Sequence, residues 1–153
     1  HLAFILTFGI ITSYFKNKVL LPLCFVTFSL IGTIVSVNFL VVPFSELIIS
    51  LSIIVAGLTS LYEKKINIYF PIILALGGGF FHGYAFGQSV VGIEASPLIA
   101  YLIGIALIGF VLIFGFSFLI IKYYHLTLKP RFVGAIFTGV GLTYFVENVE
   151  ALI

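Results

Sequence analysis

Four stretches of this chain, Val19–Val37, Ser45–Leu61, Ile68–Phe86 and Leu98–Ile121, hold one formally charged residue between them, Glu46. Apolar runs of that length leave few choices. A helix that crosses the hydrocarbon core of a bilayer needs about 20 largely apolar residues. In lipid every backbone donor and acceptor must be satisfied inside the segment or in a closed barrel. The runs are continuous, whereas a membrane barrel alternates with a period of two, so helices are expected. Over the whole chain 8% of residues are charged, against about 25% in a soluble domain. That is too little polar surface to cover a soluble globule. The chain reads as an all-α, multi-pass integral membrane protein whose 153 residues form a single transmembrane helical domain, 1–153.

The runs give a bundle of six transmembrane helices. The first, Leu2–Phe15, is shorter than a span requires, as expected of a helix truncated at its start. Val19–Val37 is the second, with Pro22 tolerated in its first turn. A loop at Asn38–Phe44 leads to the third, Ser45–Leu61, with Ser45 as the expected N-cap and Glu63-Lys64-Lys65 at its end. Ile68–Phe86 is the fourth, followed by the polar loop Gln88–Pro97. Leu98–Ile121 is the fifth, Lys122–Arg131 a basic loop, and Phe132–Phe145 opens a sixth that runs towards Glu147 and Glu150.

Charge orients this bundle. Lys16 and Lys18 follow helix 1, Lys64 and Lys65 follow helix 3, and Lys122, Lys129 and Arg131 follow helix 5. Basic residues collect in cytoplasmic loops, so this side is expected inside and both termini outside. Tyr62, Tyr69, Tyr123, Tyr124 and Tyr144 fall near helix ends, where a phenol bridges apolar and wet layers. The basic residues sit in short loops rather than in a patch, which excludes a nucleic-acid partner. The lipid bilayer is the partner the composition demands. Cys24 allows no internal disulfide and is expected to pack as a small core residue.

The fourth run contains Gly77-Gly78-Gly79-Phe80-Phe81-His82-Gly83-Tyr84-Ala85-Phe86-Gly87. Each glycine costs a helix about 1 kcal/mol relative to alanine in water. In a membrane, residues without side chains let another helix approach closely. Gly79, Gly83 and Gly87 are four apart and share one face, so they are the expected helix-packing residues. His82 lies beside that face. An ionisable side chain at such depth is a functional-site candidate, and the plainer alternative is a hydrogen-bonded histidine within a packing seam.

The topology brings other polar residues to the same outer end. His1 opens helix 1, Glu46 lies in the first turn of helix 3, His82 is near the end of helix 4 and Glu147 near the end of helix 6. Glu46 also suits a first turn simply by complementing the helix dipole. Glu147 also suits the headgroup layer. Two imidazoles with a carboxylate form a donor set for a divalent transition metal such as nickel, cobalt, copper or zinc. Enzyme chemistry finds no support. The chain has no Asp for a Ser/His/Asp triad, no Walker loop and no dinucleotide fingerprint. His125 falls in the basic loop, where it reads as a solvated residue.

Several segments together resemble the HupE/UreJ family of small nickel/cobalt membrane permeases. They are His1-Leu2-Ala3-Phe4, Pro43-Phe44-Ser45-Glu46-Leu47, Ser50-Leu51-Ser52-Ile53-Ile54-Val55-Ala56-Gly57 and, above all, Phe81-His82-Gly83-Tyr84-Ala85-Phe86-Gly87. The resemblance implies that the chain begins just inside the family's first histidine motif, with His1 as that histidine. His82, Gly83, Tyr84, Ala85 and Gly87 fit a helix-4 signature similar to His-Gly-(His/Tyr)-Ala-His-Gly. The chain is a divergent member. Phe86 stands where the family usually has a second histidine, and residues 104–116 lack the histidine common in helix 5. The resemblance therefore implies a metal site of His1, Glu46 and His82, with Ni or Co as the transported ion. The competing expectation is a non-transporting accessory subunit that keeps the fold within a larger assembly of membrane subunits.

Overall fold

The structure, a computed structural model, describes residues 1–38, 42–62, 66–92, 94–123 and 129–152. Glu63-Lys64-Lys65, Tyr124 and His125, and parts of the loops expected at 38–44, 88–97 and 122–131, lie outside the described residues. The chain folds as α1 Leu2–Ser13, α2 Leu20–Asn38, α3 Ser45–Leu61, α4 Tyr69–Gln88, α5 Ala95–Tyr123 and α6 Pro130–Glu150. Helix α3 keeps the expected bounds, other helix ends shift by one to three residues, and two of the differences concern helix starts. Phe44 rather than Ser45 is the N-cap of α3; it has φ 62° and no side-chain cap bond, and Ser45 is already helical and buried. Helix α5 starts at Ala95 rather than Leu98, and it tolerates Pro97 because a first-turn residue has no intrahelical N–H bond to lose.

Four helices, α2, α4, α5 and α6, are long and apolar enough to cross a membrane. The six-span expectation thus becomes a six-helix protein with four helices of spanning length among the described residues. Helix α1 has 12 residues and α3 has 17, roughly 18 and 26 Å of helix at 1.5 Å per residue. A hydrocarbon core is about 30 Å thick. Helix α1 is largely enclosed by protein. Phe4, Ile5, Phe8, Ile10 and Ile11 are all buried, and α1 packs on α3, α5 and α6. The Lys18 amine closes its C-terminal end, bonding the carbonyl oxygens of Ser13 at 2.7 Å, Thr12 at 3.4 Å, and Phe15. Partial burial lowers the pKa of that amine below its ordinary value.

The principal packing is between helices distant in sequence: α2 with α4, α3 with α6, and α1 with α5. Helices α2 and α4 run parallel. Gly79 lies against Phe25, Gly83 against Ser29, and Gly87 against Thr33 and Ser36. Gly32 on α2 in turn lies against the backbone of Phe80 and Tyr84. The two backbones touch along this seam, and Thr33 Oγ1 reaches across to the Gly83 carbonyl at 2.8 Å. Helices α3 and α6 run antiparallel, with Gly134 against Ser60, Gly57 against Thr138, and Gly141 against Ile54. The outer faces of α5 and α6 present Ile103, Leu107, Ile108, Val111, Phe132 and Ile136, all exposed. An apolar surface of that extent suits lipid. Tyr62 and Tyr69 are exposed at the ends of α3 and α4, and Tyr123 is exposed at the end of α5.

Candidate metal centre

His82 is fully buried, with 0% exposure, yet both of its ring nitrogens are partnered. Helix α4 is held against α2 by glycines on the neighbouring face, which fixes the direction in which His82 leaves the helix. The Phe4 ring, 4.5 Å away between centroids, and Phe25, at 6.4 Å, pack against the imidazole. Gly78 has no side chain where the Phe4 ring lies, so that ring fits between α1 and α4.

His82 Nε2 lies 3.0 Å from Ser52 Oγ on α3, and the same Oγ lies 2.6 Å from the Ile49 carbonyl oxygen. The hydroxyl has a single hydrogen. Two oxygens 2.6 Å apart repel unless a hydrogen lies between them, so Ser52 donates to Ile49. It follows that His82 Nε2–H donates to Ser52, and His82 Nδ1 carries a lone pair. His82 Nδ1 is 2.8 Å from His1 Nδ1, and the two rings meet edge to face, 5.0 Å apart at 75°. In this tautomer His1 Nδ1–H donates to His82. The Phe86 ring leans on His1 with centroids 4.6 Å apart.

The structure brings His1 and His82 into contact. Glu46 is exposed in the first turn of α3. With His1, Ile49, Ser50, Ile53, Tyr144 and Asn148 it lines a cavity of about 220 Å³ beside the imidazole pair. Among the described residues no three His, Cys, Asp or Glu side chains cluster tightly enough to hold a metal ion. Glu46 is thus a neighbour of the pair rather than a close third member. Glu147 is exposed and does not line the cavity. The pair itself suits a metal in kind. Two nitrogens each about 2.1 Å from one ion, at a right angle, stand about 3 Å apart. The observed 2.8 Å is close to that.

Reading the sequence did not single out Ser52, Ser50, Tyr144 or Asn148 as site residues. Ser50 and Ser52 lay in a quoted segment, but serines that bond back to their own helix are too common to draw notice. Tyr144 and Asn148 reach the site only because α6 packs on α3.

No curated protein and no solved structure matches the chain. A family model described as HupE / UreJ protein matches residues 1–144, from the histidine that opens α1 to the tyrosine at the edge of the cavity. On that match the chain belongs to the HupE/UreJ family.

Proposed function

We propose that the protein is a membrane permease for a divalent transition metal, Ni²⁺ or Co²⁺, with His1 and His82 as direct ligands and Glu46 as the nearby carboxylate. One observation carries this reading: the imidazole nitrogens of buried His82 on α4 and exposed His1 at the start of α1 face each other at 2.8 Å beside a cavity. Family membership supports the metal class. Imidazole suits nickel and cobalt, and geometry selects between them. The α2–α4 seam, where backbones meet with little side-chain interlock, would let helices shift between access states. Purified protein in liposomes should accumulate radiolabelled nickel above empty liposomes. Because neutral imidazole is the ligand form, acidifying the outer medium should weaken uptake. A protein that folds but accumulates no metal would be the accessory subunit instead.

Phe86 gives a sharper expectation. Its ring already touches His1. Phe86→His would place a third imidazole at the pair and should tighten nickel binding at least tenfold in a titration. Unchanged affinity would mean that residue 86 does not face the ion.

The same reading orients the protein with both ends outside, because all seven basic residues lie in or next to the segments that join α1 to α2, α3 to α4 and α5 to α6. Reporter tags after Lys65 and after Gly92 should be labelled from opposite sides of the membrane. Labelling from one side would refute this orientation.

A further inference from the structure

The cavity beside the histidine pair sets a carboxylate, a hydroxyl and a carboxamide oxygen around one space, with His1 and Tyr144 completing its polar wall. Ser50 donates its hydroxyl hydrogen to the Leu47 carbonyl at 2.9 Å, which leaves the lone pairs of Oγ. Asn148 spends an amide hydrogen on the Tyr144 carbonyl at 2.8 Å, which leaves its carboxamide oxygen. The Glu46 carboxylate accepts only. Ile49 and Ile53 supply the apolar wall. The Glu46 carboxylate and the free oxygens of Ser50 and Asn148 suit a positively charged guest that donates hydrogen bonds. A divalent metal ion in water is such a guest, since its bound waters turn their hydrogens outward. The cavity, about 220 Å³, has room for several waters.

We infer that this cavity is an outer-sphere loading site, in which Glu46, Ser50 and Asn148 hold the hydrated divalent cation by its water shell before His1 and His82 replace some of those waters. The inference rests on the permease reading and gives α6 a part in it. Entry is thereby divided into two steps. Charge and hydrogen bonding select a hydrated cation in the cavity. Exchange of waters for imidazole nitrogens at the pair then selects the metal.

Hexaamminecobalt(III) separates the two steps. It matches a hexaaqua ion in shape, only donates hydrogen bonds, and does not exchange its ligands on the time of a binding experiment. It can occupy the cavity but cannot bond to a histidine. In titrations of the purified protein it should bind and compete with Ni²⁺. Glu46→Gln and Asn148→Leu should each weaken its binding at least fivefold, while His82→Ala should remove Ni²⁺ binding and leave the ammine complex bound. Nickel binding without competition from the ammine complex would overturn the loading site and leave the permease reading intact. Ammine binding indifferent to both Glu46→Gln and Asn148→Leu would overturn it equally. Binding of the ammine complex with no binding of Ni²⁺ would support the cavity and overturn the permease reading.

Discussion

Gly83→Leu is expected to prevent the protein from folding. A Cβ at position 83 would fall on the Ser29 backbone, with its carbonyl carbon and Cα 2.5 Å away. A flexible side chain could swing aside, but a helix backbone cannot. Overpacking a core costs about 1–3 kcal/mol where side chains can adjust. Here α2 and α4 would have to separate along their whole seam, and the Thr33 bond to the Gly83 carbonyl would be lost with it. The cost should therefore exceed that range. Even Gly83→Ala should lower the melting temperature measurably. Gly77 is the internal control, since nothing lies within 4 Å of a Cβ built there. Gly77→Ala should be neutral or stabilising, by up to about 1 kcal/mol of helix propensity. Thermal unfolding in detergent reads all three. A Gly83→Leu protein that melts with its parent would show that the seam does not hold the bundle together.

The glycines also show where sequence reasoning stops. Spacing of four marks Gly79, Gly83 and Gly87 as one face of α4, because helical periodicity is local. The same spacing does not say which helix lies against that face. The partner is α2, two elements back and parallel, presenting Ser29, Gly32, Thr33 and Ser36. Short loops suggest that consecutive helices pack together, yet of the consecutive pairs only α3–α4 is among the substantial contacts. The short α1 is a further case. Hydropathy sees an apolar run but does not show that much of α1 is buried against α3, α5 and α6. Helix existence was legible because it depends on neighbouring residues. Helix pairing was not, because it depends on shape complementarity between distant ones. His1, Glu46 and His82 were legible as polar residues at one end of the bundle. Their separate places, two in contact and one at a cavity, depend on side-chain directions that spacing alone does not carry.

Ser52 leads to the other large effect. His82→Ala should abolish nickel binding, because it removes one of the two nitrogens that face each other. That result alone would not separate a ligand from a residue needed for packing, since His82 is also enclosed by Phe4 and Phe25. Ser52 makes the distinction, as it touches His82 Nε2 and not the face that would meet the ion. Outer groups of this kind orient a ligand, and their loss usually weakens metal binding about 10- to 100-fold. Ser52→Ala removes the acceptor for Nε2–H, so His82 loses the bond that keeps its proton on Nε2 and its lone pair on Nδ1. Nickel affinity should fall within that range while the melting temperature changes little. Ser52→Thr keeps the hydroxyl and should restore affinity. Nitrogen-15 spectra of the metal-free protein offer a second readout. Wild-type His82 should show a protonated Nε2, and Ser52→Ala should shift the ring towards a mixture of tautomers. If Ser52→Ala binds nickel as tightly as the parent and leaves the His82 nitrogen signals unmoved, His82 is a structural histidine and the ion does not bind at this pair.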